Sequence, residues 1–477
     1  MGKELIIARE KEKALLEKCL AQKEAQLVVV YGRRRVGKTF LVNQFFDNHF
    51  AFKITGAYKE EDRIQRMNFI NELNEKANQE YEIPENWNKA FLLLRRYLES
   101  LPSSEKQIVF FDEMPWLNVE NSDFLSSFEH FWNNYGSSKN NLILIVCGSN
   151  TSWLIKNIIY NKGGLFNRQS ARIYLEQFNL YETEKYLLEK GFHYSRYDIL
   201  EIYMIIGGIP YYLNYLNSSL SLNQNIDNMF FSKKALLHDE FDKLYRTLFN
   251  EDDTYVDIVN NIYKKKNGLT REEIASSIKK PLNGLLSKML DTLVKSDFIR
   301  QTSSYYQGRK RVIYRVSDYF TMFYLQFMKN KVGVDNHYWQ NSYNQQSRNV
   351  WAGLMFENVC FTHIEQIKRK LGISGVLSTN YSWNYAGDDV ISGAQIDLII
   401  DRKDRTINLC EVKHSIGEFE IDKEYDSKLR QKINTYQTIS KTKKSILLTL
   451  ITTYGVKNNI YSGIVNQSVV MDDLFEK

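Results

Sequence analysis

The 477-residue chain holds only five prolines and four cysteines. Cys19, Cys147, Cys360 and Cys410 are widely separated and form no CxxC pair, which argues against both a disulfide framework and a cysteine zinc site. No apolar run reaches the roughly 18 residues of a membrane helix. Internal repeats and low-complexity tracts are missing too. The opening stretch, MGKELIIAREKEKALLEKCL, is charged throughout and does not read as a signal peptide. These absences predict a globular protein of the reducing cytoplasm.

What is present fits that class. Hydrophobic residues make up 43% and charged residues 25% of the chain, the balance of a folded protein with a sizeable core. At about 100 to 200 residues per domain, the length suggests roughly three domains. The net charge of +6 permits nucleic-acid contact without demanding it, so the clustering of charge matters more than its sum.

The apolar run LVVVY, followed by GRRRVGKT and the helically spaced TFLVNQFF, predicts a strand, a tight loop and a helix. Gly32, Arg33, Arg34, Arg35, Val36, Gly37, Lys38 and Thr39 spell GxxxxGK plus threonine, and with Phe40 form the candidate nucleotide-binding segment. Glycines allow the wrap, backbone N–H groups face the phosphates, Lys38 reaches the β and γ phosphates, and the Thr39 hydroxyl meets Mg²⁺. The backbone does the cradling, so the three arginines need not face the phosphates and can point outward, raising the local positive potential or pairing with acids of the lid or a neighbouring domain.

QIVFFDEMPWL, residues 107–117, reads as a buried strand ending in two acids. Asp112 is the candidate Mg²⁺ ligand and Glu113 the candidate base that polarises the attacking water. Taken alone, acids there suit the start of a following helix better; beside a full phosphate loop the metal and water roles take precedence. NLILIVCGSN, residues 141–150, predicts a third strand whose end carries Ser149 and Asn150, either γ-phosphate readers or an ordinary turn.

In this order, YGRRRVGKT, FFDEMPW, CGSNTSW, GGLFNR and GGIPYYL resemble the archaeal-type ATPases of the STAND/AAA+ group over roughly residues 5–245. The resemblance implies an ATP- and Mg²⁺-using core followed by a helical lid. It matches Arg9 and Glu10 to a GRE opening near the adenine, although Ala8 replaces the usual glycine. It also matches Arg168 to a position suited to the γ-phosphate, in cis or from a neighbouring subunit, and Gly207, Gly208 and Pro210 to the lid motif.

Beyond residue 250, TYVDIVNNIYKK, TREEIASSI and PLNGLLSKMLDTLVKSDFI read as three amphipathic helices, the second opened by a Thr270 capping box. An alternating hairpin follows, with Gln307 and Gly308 near its tip. That is the order of a winged helix-turn-helix. Arg300, Arg309, Lys310, Arg311 and Arg315, with Tyr305 and Tyr306, give the wing phosphate-contacting chemistry. Asn283, Ser287 and Lys288 are the candidate base readers, and a solvated hairpin or interdomain spacer is the alternative.

In the last segment, IDLII and INLCEVK read as strands joined by the polar turn DRKDRT. Alternation puts Glu411 and Lys413 on one side. If Asp397 shares it, two carboxylates and an ammonium converge as a Mg²⁺-dependent phosphodiesterase requires. This stretch resembles the PD-(D/E)xK nucleases, often fused to archaeal-type ATPases; Glu357 matches the helical acid before the sheet, and Gln437 or Lys432 a later helical polar residue. Glu357, Asp397 and Glu411 are thus candidate metal ligands and Lys413 a candidate catalytic lysine. His414 has no second histidine at ligand spacing, and the aromatics of residues 381–385 suit either core packing or base stacking.

The expected fold is α/β: a P-loop NTPase sheet at 1–178 with a helical lid at 179–250, a winged helix-turn-helix at 251–330 and an α/β restriction-endonuclease-like domain at 331–477. The expected function is ATP hydrolysis coupled to DNA binding or cleavage, with RNA open and no membrane partner. The alternative is a nucleotide-dependent switch that binds a partner without cutting. Oligomeric state stays open.

Overall fold

The computed structural model describes residues 6–249, 252–306, 309–329, 335–343 and 345–477. The chain divides into two compact units, Met1–Gln177 and Phe178–Lys477.

The first unit is a parallel sheet with helices on both faces. Its strands are β1 (Gln26–Tyr31), β2 (Phe52–Thr55), β3 (Gln107–Asp112), β4 (Leu142–Gly148) and β5 (Ala171–Tyr174), in the order β2-β3-β4-β1-β5. Every neighbouring pair is parallel. Such strands are covered on both sides, which is why β3 and β4 are apolar almost throughout and wholly buried. Alternation along β1 splits the core: Leu27 and Val29 join one cluster with Phe52, Phe69 and Phe111, whereas Val28 and Val30 join another with Val36, Leu41 and Phe110. The sheet order changes direction around β1, so the loop leaving its carboxyl end opens into the crevice where ligands of open α/β sheets bind.

The second unit opens with helices Leu180–Glu189 and Arg196–Ile206, each started by a side-chain capping box. Backbone demands explain the GGIP motif there. Gly207 ends the second of these helices at φ 66°, a Cβ on Gly208 would lie 1.9 Å from Phe178 O, and Pro210 begins the next short helix.

Helices Thr254–Tyr263, Arg271–Ser277 and Gly284–Lys295 follow, then an antiparallel hairpin of β6 (Ile299–Tyr306) and β7 (Arg309–Val316). Leu269 bridges to Tyr314 of β7. The Thr270 capping box forms, with Glu273 Oε2 accepting from Thr270 N at 2.7 Å. Gln307 and Gly308 lie outside the described residues, as do the side chains of Tyr305, Tyr306, Arg309 and Lys310.

After helix Gln346–Thr362 comes a mixed five-stranded sheet of β8 (Ser378–Tyr385), β9 (Ala394–Arg402), β10 (Thr406–Lys413), β11 (Ser445–Thr452) and β12 (Gln467–Val470), in the order β12-β11-β10-β9-β8. β8, β9 and β10 are antiparallel, while β10, β11 and β12 are parallel, with helix Lys423–Ser440 crossing from β10 to β11. Tyr381, Trp383 and Tyr385 are core residues beneath that helix, Trp383 meeting Tyr436 edge-on at 5.2 Å. All four cysteines are buried thiols, and no helix among the described residues is long and apolar enough to cross a membrane.

Candidate functional site

The loop between β1 and helix Lys38–Phe45 turns through two glycines at positive φ. Gly32 has φ 141°, and a Cβ there would lie 2.4 Å from Leu175 O; Gly37 has φ 92°. Lys38 is buried and closes the wrap, its ammonium donating to Gly32 O at 3.0 Å and Arg33 O at 2.8 Å. Burial pulls its pKa below the usual lysine value. Phe40 occupies the first helical turn with its side chain on the exposed side. Arg9 latches the loop from outside, donating to Val36 O at 3.2 Å and Glu176 O at 2.7 Å.

Asp112, at the end of β3, faces this loop. Thr39 Oγ1 donates to it, 2.9 Å from Oδ2 and 3.1 Å from Oδ1. The carboxyl is held above its ordinary range by burial and by neighbouring Glu113, against the pull of the Thr39 hydroxyl. A hydroxyl beside a carboxylate is a hard-oxygen donor pair, and it fits Mg²⁺. Glu113 adopts a left-handed backbone, φ 44°, and its Oε2 accepts from both N and Oγ of Ser149, each at 2.9 Å. The ends of β1, β3 and β4 thus gather a buried ammonium, a hydroxyl and two carboxylates around one loop. Asn150 is committed elsewhere, its side chain capping Trp153 N at 3.0 Å.

Residues 6–216 match the family described as an ATPase domain predominantly from Archaea. The match gives the chain an ATPase domain of archaeal type over those residues. An uncharacterized protein of Methanocaldococcus jannaschii is 23% identical over 414 residues, 86% of this chain and 87% of that protein. An uncharacterized ATP-binding protein of the same organism is 41% identical over 44 residues, 9% of this chain and 75% of that protein. Among solved structures, the Walker-type ATPase of Pyrococcus abyssi is similar at 20% identity and a TM-score of 0.47, covering 67% of this chain and 96% of that one.

One sequence expectation about the ATPase domain needs adjusting. Arg33 does not point outward: it is only 3% exposed, and Arg34 and Arg35 are half-buried. Arg35 also takes a left-handed conformation, φ 75°, unusual for a residue with a Cβ. Arg168 is exposed, its N–H bonded to Leu165 O at 3.1 Å.

The second group of candidate residues lies on the C-terminal sheet. The β9–β10 register ends with Cys410 opposite Leu398, and Glu411 and Asp397 are the next residues of the two strands. Both carboxylates are buried, and Asp397 Oδ2 accepts from Val412 N at 3.1 Å. Glu411 Oε1 lies 3.0 Å from Lys413 Nζ and accepts from Tyr425 OH at 2.6 Å, while its Oε2 lies 2.7 Å from Lys432 Nζ. Burial pushes Glu411 up, but Lys413 and Lys432 outweigh it and leave the carboxyl below its usual range. Asp397 goes the other way, raised by burial and by Glu411. Glu357, from helix Gln346–Thr362, feels the charge of Asp397 and is pushed to about 7, chiefly by burial; Lys266 Nζ stands 3.9 Å from its Oε1.

Among the described residues, no three His, Cys, Asp or Glu side chains stand as a group that could hold a metal ion. Glu411 instead has a lysine at each carboxylate oxygen. Gln437, the other helical candidate, takes part through its carbonyl in ending helix Lys423–Ser440.

Several partners were not legible from spacing. Arg9 on Val36, Ser149 on Glu113 and Tyr425 on Glu411 are contacts between distant elements; Arg9 and Ser149 are candidates from the sequence, Tyr425 is not. Asn283, expected to read bases, caps its helix, Oδ1 accepting from Leu286 N at 3.1 Å. Arg300 packs inward: its guanidinium lies 4.2 Å over the Phe361 ring and donates to Asn358 Oδ1. His414 is packed against Phe356 and Tyr197, and burial lowers its pKa to about 4.

Proposed function

We propose that the protein is a Mg²⁺-dependent ATPase that couples nucleotide state to a C-terminal domain directed at nucleic acid, DNA before RNA. The observation that carries the reading is the juxtaposition of Asp397, Glu411 and Lys413, with Glu411 and Lys413 in contact at 3.0 Å and Glu357 close enough to feel Asp397. Two acids and an ammonium at adjoining strands are what metal-assisted phosphodiester hydrolysis uses. Three helices followed by a hairpin, the order of a winged helix-turn-helix, support a nucleic-acid partner.

In the ATPase domain, Gly32 through Phe40 bind the triphosphate, Thr39 and Asp112 hold Mg²⁺, which neutralises phosphate charge, and Glu113 orients the attacking water. Arg168 on its exposed loop is suited to a γ-phosphate within the subunit or in a second copy.

Incubation with Mg²⁺, ATP and labelled duplex or single-stranded DNA tests the coupling. Cleavage should appear and should vanish in Asp397→Ala and Lys413→Ala. Lys38→Ala should lose ATP turnover; unchanged hydrolysis would sink the phosphate-loop assignment.

A second reading, a switch that binds without cutting, is favoured by one observation: both Glu411 oxygens are engaged by lysines. No cleavage with any divalent metal, together with nucleotide-dependent partner binding, would select it.

A further inference from the structure

In the hairpin of the second unit, Arg300 of β6 and Arg315 of β7 are direct cross-strand partners. Like charges in that position repel and destabilise a strand pair. Both side chains are half-buried, so solvent screens the repulsion incompletely. Burial and the nearby Arg315 charge lower the Arg300 pKa to about 9.

The surroundings answer this charge only in part. Arg300 meets the Phe361 ring and Asn358 Oδ1, leaving its buried Nε without a hydrogen-bond partner among the described residues. Arg315 donates from Nε to Asn267 O at 3.4 Å, and no carboxylate among the described residues lies within ion-pair distance of it. Glu357 acts on both guanidiniums through space and Asp397 on Arg315. Asn358 and Phe361 belong to the helix that carries Glu357, so the arginine pair borders the carboxylate group.

A guanidinium presents a planar fork of donors that matches the two free oxygens of a phosphodiester. A half-buried pair of them, one without a carboxylate at ion-pair distance among the described residues, is suited to an oxyanion. We propose that Arg315, with Arg300 beside it, is a phosphate clamp that seats one backbone phosphodiester of a nucleic-acid strand beside Glu357 and Asp397. Arg315 is a positioning residue here: it holds the strand and takes no proton. The clamp rests on the reading of the C-terminal domain as nucleic-acid-directed.

The test measures binding of a short fluorescein-labelled oligonucleotide to the full chain by anisotropy, with EDTA and without nucleotide, across a salt series. Arg315→Gln should weaken binding roughly tenfold and reduce the slope of log affinity against log salt by about one. Arg315→Lys, which keeps the charge and loses the fork, should keep the slope and weaken binding severalfold; it also serves if the Gln variant does not fold. Affinity and slope like the wild type's in both variants would overturn the clamp. Inorganic phosphate at millimolar concentration should leave the strand bound, and its displacement would assign the site to free phosphate and overturn the nucleic-acid ligand.

Cleavage assays with Mg²⁺ separate this proposal from the nuclease reading. Arg315-dependent binding without cleavage leaves the clamp standing and sinks the nuclease. Cleavage whose KM is unchanged in Arg315→Gln sinks the clamp and leaves the nuclease.

Discussion

Ser149 donates both its backbone N–H and its hydroxyl to Glu113 Oε2, each at 2.9 Å. The end of β4 therefore sets where the acid after β3 points, and Glu113 cannot turn without breaking two hydrogen bonds. If Glu113 is the base, Glu113→Gln should lower kcat for ATP by roughly 10² or more and leave ATP affinity within about threefold. Ser149→Ala keeps the N–H donor and should cost roughly tenfold in kcat. Steady-state hydrolysis and equilibrium nucleotide binding check the pair; equal kcat in Glu113→Gln and wild type would remove Glu113 from the chemistry.

The two loop glycines should fail differently. A Cβ on Gly32 meets the backbone oxygen of Leu175 at 2.4 Å, whereas one on Gly37 has nothing within 4 Å. Gly32→Ala should therefore cost about 2–4 kcal/mol of stability, and Gly37→Ala only about 1 kcal/mol for its left-handed backbone. Thermal unfolding measures the first difference, and nucleotide binding in the soluble Gly37→Ala variant measures what the loop loses locally.

These glycines also show what a sequence can reveal. Gly32 to Thr39 work through a contiguous backbone, so their order alone conveys the geometry, and Asp112 is found because it ends an unmistakable buried strand. The C-terminal acids were legible for a similar reason: alternation puts Glu411 and Lys413 on one face. What spacing did not convey is which face of an amphipathic element turns inward. Arg300 looked like a wing residue for solvent and DNA, yet the hairpin packs it on Phe361 and Asn358, whose approach depends on distant helices. The same holds for Arg33, which alternation in a loop cannot assign, and for Tyr425 and Lys432, which reach Glu411 only because helix Lys423–Ser440 crosses over β10.

His363 should make the second unit acid-sensitive. Its Nε2 accepts from Leu180 N at 3.0 Å, and its Nδ1 lies 2.9 Å from Val359 O. Burial lowers its pKa to about 4, below the unfolded value of about 6.5. The folded state thus favours the neutral ring, and its stability contribution is full above about pH 6.5 and declines as pH falls toward 4, by at most about 1.4 kcal/mol per pH unit. His363→Gln keeps an acceptor for Leu180 and removes the titration. Denaturation midpoints at pH 7 and pH 5 should differ less in that variant than in wild type; an equal difference would assign the acid sensitivity elsewhere, His414 included.

Lys432 should stabilise the fold through Glu411 and hinder metal binding at the same atom. Its ammonium is 2.7 Å from Glu411 Oε2, with Lys413 3.0 Å from Oε1. Lys432→Met leaves a buried carboxylate with one lysine fewer and should lower stability by about 2 kcal/mol. Glu411→Gln in the same chain should recover part of that loss, because the stranded charge goes with it, giving a coupling of about 1–3 kcal/mol in a double-mutant cycle. The two roles separate in divalent metal. Lys432→Met frees one oxygen of Glu411 beside Asp397, so Mg²⁺ should raise the variant's unfolding midpoint more than the wild type's. An equal Mg²⁺ response in both chains would mean that the lysine holds the carboxylate for structure alone.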